Sequence, residues 1–187
     1  MAEDSAQANT LTPQQQKLVD IWDEHTRCEF EAKSVDDTMA TMITEDAYVN
    51  NIPTMMGGIG TQHVRDFYSS HFILQLPEDT ETELLSRTVG QTQLVDELIF
   101  KFTHTVEMNW MLPNIAPTGK RVEVALVAII AFEGDKIAHE HIYWDQASVL
   151  AQIGLINCDN LPVVGIEGSQ KVADPSSHPS NSFITRA

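Results

Sequence analysis

Near residue 80 the hydrophobic pattern of this chain changes period. Upstream, apolar residues recur at three- and four-residue spacing; downstream they alternate, first in and then out. Thr12 precedes Pro13 and stands three residues ahead of Gln15, a capping box with proline at the first helical position. Leu18, Ile21, Trp22 and Cys28 follow on one helical stripe, with His25 and Glu29 nearly on it. Ser34 caps a second short helix in which Val35, Met39, Met42 and Ile43 face inward. Residues 47–53 read as a strand and 54–60 as a loop. Thr61 opens a third helix, with Val64, Phe67, Tyr68, His71 and Phe72 on one stripe, which Pro77 stops. Residues 82–90, 94–109, 121–132 and 136–145 then read as strands, and 146–153 as a last helix closed by Gly154. Helices first and long strands afterwards predict an α+β fold, with the helices packed on one face of a curved antiparallel sheet.

The 187 residues suffice for one domain with a real core. Its expected parts are a flexible lead over 1–11, the folded unit over 12–156 and a Gly-, Pro- and Ser-rich tail over 157–187. Twenty-seven acidic against eleven basic residues give a net charge of −16. Clustered Lys and Arg, which a phosphate backbone or an anionic membrane requires, are missing, so neither nucleic acid nor membrane is an expected partner. Two cysteines, Cys28 and Cys158, make neither a metal spacing nor a disulfide framework, and the polar, acidic start is no secretory signal. The expected location is cytoplasmic.

Residues 134–145, Gly-Asp-Lys-Ile-Ala-His-Glu-His-Ile-Tyr-Trp-Asp, hold the densest set of proton-handling side chains. Strand alternation puts His139, His141, Tyr143 and Asp145 on one side and Ala138, Glu140, Ile142 and Trp144 on the other. A polar row aimed into an enclosed space can run acid–base chemistry without a cofactor. The first row is therefore read as the one facing the interior. Should the faces be reversed, Glu140 is the carboxylate of choice, flanked by Trp144. Asp145 also precedes a helix, where Asp is a preferred N-cap. His104 shares a face with Leu98, Phe100 and Phe102, the setting of a core histidine as much as of a proton carrier. Arg87 can orient a carboxylate or pair with a surface acid.

The order helix, helix, strand, helix and four strands resembles the nuclear transport factor 2-like fold. Within it, three patterns resemble the SnoaL-like polyketide cyclase and isomerase family. They are Thr103-His104-Thr105-Val106-Glu107 leading to Pro117-Thr118-Gly119-Lys120, then 136–145, then Leu150-Ala151-Gln152-Ile153-Gly154. The resemblance spans residues 12–156. It implies an apolar pocket between the helices and the concave sheet face, no metal and no organic cofactor, and a homodimer formed through convex faces. It further implies a hydrophobic, oxygenated small metabolite, polyketide- or terpenoid-like, as the substrate of a cyclase, isomerase or dehydratase in secondary metabolism.

In the cyclases a carboxylate near the end of the last strand is the general acid or base, and Asp145 matches that position. The expected catalytic set is Asp145, His141 and His104. In the related epoxide hydrolases an asparagine before a proline in the first strand holds the attacking water, and Asn51, ahead of Ile52-Pro53, resembles it. The hydrolases also place an Arg and two Asp around that water, and no Arg-x-Asp occurs here. Asn51, Tyr143, Trp22, His25, Met55 and Glu140 complete the expected substrate-binding set, with Met55 in an adaptable, apolar lid loop. Epoxide or lactone hydrolysis in the same pocket is the alternative reaction. A non-enzymatic binding module and a metal enzyme built on His139, His141 and Asp145 are the other readings.

Overall fold

The computed structural model describes residues 11–184. Apart from Leu11, the expected lead over 1–11 lies outside the described residues. Two helices open the chain, α1 (Pro13–Phe30) and α2 (Val35–Ala40). The capping box forms as expected: Thr12 accepts from the Gln15 amide, and the Gln15 side chain accepts from the Thr12 amide. Strands β1 (Tyr48–Asn51) and β2 (Met56–Ile59) follow. Next comes α3 (Thr61–Phe67), which loosens into a π turn over Tyr68–Phe72 and a 3-10 turn over Ile73–Gln75 before Pro77. Four long strands, β3 (Glu81–Val89), β4 (Gln93–Thr103), β5 (Arg121–Glu133) and β6 (Lys136–Trp144), lead to α4 (Gln146–Gln152) and α5 (Glu167–Ala173).

The six strands form one curved sheet in the order β2-β1-β6-β5-β4-β3. Only β1 and β6 run parallel; every other neighbouring pair is antiparallel. The α+β fold expected from the change of period is the one formed. Residues 54–60, expected as a loop, contain β2, which pairs with β1 as a hairpin. The glycines that mask its strand character are required by close approach: a Cβ on Gly57 would lie 1.9 Å from the Val49 carbonyl oxygen. The strand expected over 94–109 stops at Thr103, because His104 turns to pair its backbone with Lys120 and Gly119.

Burial alternates along β5, with Val122, Val124, Leu126, Ala128, Ile130 and Phe132 inward. These residues meet Leu18 and Trp22 of α1, Met39 of α2, and the Phe67, Tyr68 and Phe72 cluster. Each large apolar side chain buried this way stabilises the fold by about 1.5–3 kcal/mol. That is what clamps the helices onto the sheet.

Candidate active site

A cavity of about 260 Å³ lies between α1, the α3–π turn segment and the concave face of the sheet. This is just under the roughly 300–1,000 Å³ of sites that take drug-sized ligands, so it suits one or two rings. Trp22, Phe30, Phe67, Phe72, Phe100 and Trp110 supply its aromatic wall, and Glu29, Asn51, Tyr68, Arg87, Asp96 and Glu140 are among its polar groups. Strand register sets the floor. Leu94, Ile130, Glu140 and Val49 form one cross-strand row, and Asp96, Ala128, Ile142 and Asn51 the next.

At one end of the cavity α1 brings His25 against β6. His25 is fully buried, with Nε2 3.1 Å from Glu140 Oε1 and 3.2 Å from Glu29 Oε1. The Tyr68 hydroxyl donates to Glu140 Oε1 at 2.7 Å and lies 3.2 Å from the same Nε2. On the other side of the ring, Thr41 Oγ1 donates to the Thr38 carbonyl at 2.7 Å and is 2.6 Å from His25 Nδ1. With its own hydrogen spent, Thr41 accepts, which puts a proton on Nδ1. Burial alone pulls the imidazolium down, but the charges of Glu29 and Glu140 outweigh it and raise the His25 pKa to about 10. Burial raises the Glu29 carboxyl, opposed by His25. Burial, reinforced by Glu140 and Glu29, keeps the Tyr68 phenol well above its ordinary pKa, so it remains a donor. His25, Glu29, Tyr68 and Glu140 thus share one buried hydrogen-bonded knot, and Glu140 fronts the cavity.

A second network ties α1 to the far strands. Asp96 receives both prongs of Arg87, at 2.7 and 2.8 Å, and the Trp22 indole N–H at 2.8 Å; Arg87 also reaches Asp23 at 2.8 Å. Arg87 therefore orients a buried carboxylate, Asp96, and also pairs with a surface acid, Asp23, which brings together one Arg and two Asp from β3, β4 and α1. Asn51 gives one amide hydrogen to the Met56 carbonyl at 3.0 Å, which leaves its second N–H and its oxygen for a ligand.

The faces of β6 are the reverse of the first reading. Glu140 is buried and lines the cavity, while His139, His141 and Tyr143 point out through the other side of the sheet, Tyr143 41 % exposed. Outside, Tyr48 stacks on His139 at 4.5 Å and His141 lies beside them at 5.3 Å. Asp145 is exposed and caps α4, accepting from the Ala147 and Ser148 amides at 2.9 and 3.2 Å. His104 is buried away from the cavity wall: its Nδ1 accepts from the Thr118 amide, and burial pulls its pKa down, leaving it neutral. Met55 stands 87 % exposed at a positive φ of 57°, outside the wall. Of the expected residues, the structure brings Asn51, Trp22, His25 and Glu140 together; it does not bring Asp145, His141, His104, Tyr143 or Met55 to them.

Glu29, Tyr68 and Asp96 went unnamed as site residues, and each carried a signal. Glu29 follows His25 by one helical turn, Tyr68 sits on an apolar stripe, and Asp96 stands in the inward phase of β4 between Leu94 and Leu98. His25, Glu29 and Glu140 also present one nitrogen and two oxygens within 4.8 Å of one another, a set that a divalent cation can bridge. His139, His141 and Asp145 make no such group.

Residues 15–153 match the family model described as SnoaL-like polyketide cyclase. The chain belongs to this SnoaL-like family. No curated protein matches its sequence. Among solved structures of the fold, a putative SnoaL-like polyketide cyclase from Jannaschia sp. CCS1 is 13 % identical, with 79 % of this chain and 99 % of that one covered and a TM-score of 0.60. AclR, a putative hydroxylase from Streptomyces galilaeus, is 16 % identical over 85 % and 97 %, TM-score 0.58. The epoxide hydrolase/cyclase-like enzyme SalBIII, of pyran ring formation in the polyether salinomycin, is 20 % identical over 69 % and 91 %, TM-score 0.53. At these identities the likeness to each structure is one of fold. SnoaL-like membership accounts for the helices over a concave sheet, and no helix among the described residues is long and apolar enough to cross a membrane.

Proposed function

We propose that this SnoaL-like protein is a cofactor-independent acid–base enzyme that cyclises, isomerises or dehydrates a small hydrophobic oxygenated metabolite. The observation that carries this is the buried knot of His25, Glu29, Glu140 and Tyr68 opening onto an apolar cavity. Glu140 takes a proton from a carbon or hydroxyl of the bound substrate. The His25–Glu29 pair, held at 3.2 Å, balances the charge and keeps that proton available for return to another carbon or to a departing oxygen. Asn51 faces the substrate oxygen on which negative charge builds. With one basic side chain against four acids on the cavity wall, a substrate without a carboxylate is favoured.

The test follows exchange of the α-protons of 1-indanone for deuterium in heavy water by NMR. Glu140→Gln lowers the enzyme-catalysed rate by about 10²–10⁴-fold, the usual worth of a general base, and EDTA leaves the wild-type rate unchanged. A folded Glu140→Gln protein exchanging at the wild-type rate overturns the assignment. EDTA-sensitive exchange overturns its metal independence.

Epoxide or lactone hydrolysis is the second reading, favoured by one observation. Arg87, Asp96 and Asp23 supply the Arg and two Asp that its sequence pattern lacked, from separate elements instead of a single Arg-x-Asp. Oxygen-18 from labelled water entering the product of an epoxide probe selects this reaction over isomerisation.

A further inference from the structure

We propose that the indole N–H of Trp110 anchors an acceptor oxygen at the end of the substrate remote from Glu140. Three tryptophans occur in the chain. Trp22 gives its indole hydrogen to Asp96 at 2.8 Å, and Trp144 gives its own to Gln146 at 2.6 Å. Trp110 is 1 % exposed and lines the cavity, yet its Nε1 has no partner among the described residues. Buried donors almost always find an acceptor, so one left open beside a cavity marks where a ligand supplies it.

The ring cannot swing away to find one. It packs edge-on against Phe72, Phe100 and Trp144, with centroids 5.1, 5.5 and 5.6 Å away. Its backbone carbonyl is held by the Thr54 hydroxyl at 2.7 Å. A fixed donor in an aromatic wall loses little freedom on binding.

Its place in the cavity gives the ligand a direction. Trp110 rests on Trp144, four residues along β6 from Glu140, or about 13 Å at roughly 3.3 Å per residue. The proton-handling end is rich in acceptors, through Glu29 and Glu140, and the Trp110 end offers a donor. The ligand class is an apolar ring skeleton with a carbonyl, ether or hydroxyl oxygen at one end and the proton to be moved at the other. This rests on the cavity being the substrate site, as proposed above, but on no proton transfer.

The experiment titrates the whole chain with 5-methoxy-1-indanone and with 1-indanone, its counterpart lacking the distal ether oxygen, while the indole signals are followed in proton–nitrogen NMR spectra. The Trp110 signal is assigned by its loss in Trp110→Phe. The methoxy ketone is expected to bind about 5–10-fold more tightly than 1-indanone, the worth of one neutral hydrogen bond. It moves the Trp110 indole proton downfield more than those of Trp22 and Trp144, and Trp110→Phe weakens the methoxy ketone by the same factor while sparing 1-indanone. Equal affinity for the two probes, no saturable binding of the methoxy ketone, or bound methoxy ketone with an unmoved Trp110 signal each overturns the proposal, and all three are read on the wild-type protein. Unchanged affinity for the methoxy ketone in a folded Trp110→Phe protein also overturns it, since water then satisfies the indole. Binding of the methoxy ketone that follows Trp110 without any deuterium exchange of its α-protons defeats the catalytic reading alone; exchange without dependence of binding on Trp110 defeats only the anchor.

Discussion

A histidine and two glutamates shut away from water cannot hold protons as they do in an unfolded chain. His25, ordinarily near 6.5, rises to about 10 because the fields of Glu29 and Glu140 outweigh the cost of burying its charge. Its contribution to stability is therefore full below about pH 6.5 and is lost as pH climbs through about 10. Glu29 and Tyr68 are also raised, so their contributions fade in the same direction. Tm is expected to fall steadily from pH 7 to pH 10. His25→Gln lowers Tm at pH 7, where it leaves buried carboxylates uncompensated, and flattens most of the alkaline fall; calorimetry across that range checks both. This chemistry was half legible in the sequence. His25 and Glu29 sit one turn apart on α1, but Glu140 lies more than a hundred residues on, and nothing local shows that the three meet.

At the scale of elements, caps and strand alternation were readable because they depend on neighbours a few residues away. Thr12 and Ser34 cap their helices as their side chains predict. Asp145 does the same for α4, exposed and outside the cavity wall. Asp145→Ala is expected to cost about 1 kcal/mol of stability and to leave deuterium exchange within about twofold of wild type, checked by chemical denaturation and by the same NMR assay. The alternation along β6 was correct from His139 onward: Glu140, Ile142 and Trp144 do share one side, and His139, His141 and Tyr143 the other, while a register shift at Ala138 breaks it earlier and turns Ile137 inward. Only the inward sign was reversed. The side with Ile142 and Trp144 was the more apolar, a signal the polar row outweighed. β2 was missed for a different reason: Gly57 allows the close approach of β1 and Gly58 that of the α3 backbone at His63 and Val64, and together they erase the strand pattern.

The whole molecule presents two sheet faces with separate tasks. The concave one carries the cavity. The outer one shows Tyr48, His139, His141, Tyr143 and, on β5, Val127 and Ile129, a half-buried mixed patch. On that side Ile99 of β4 is nonetheless buried, next to the strand against which α5 packs. Helix α5 of the expected tail thus packs onto the domain, and the Ser148 hydroxyl donates to the Gly165 carbonyl ahead of it at 2.8 Å. We expect the remaining outer face to pair with a second copy. Light scattering is expected to give twice the chain mass, and Ile129→Glu to give the single-chain mass with the fold intact; a monomeric wild type sinks this expectation.

By itself the sequence determined most of the elements, their order and the α+β class, because hydrophobic period and capping are local properties of consecutive residues; β2 and α5 escaped it. Which side of β6 looks inward was decided by tertiary structure: β5 fixes the register, α1 arrives over the concave face, and burial then selects the carboxylate with partners waiting there. The Arg87–Asp96 pairing and the unpaired Trp110 indole belong to the same kind of decision. Each depends on distances between residues far apart in the chain, which only the packed core sets.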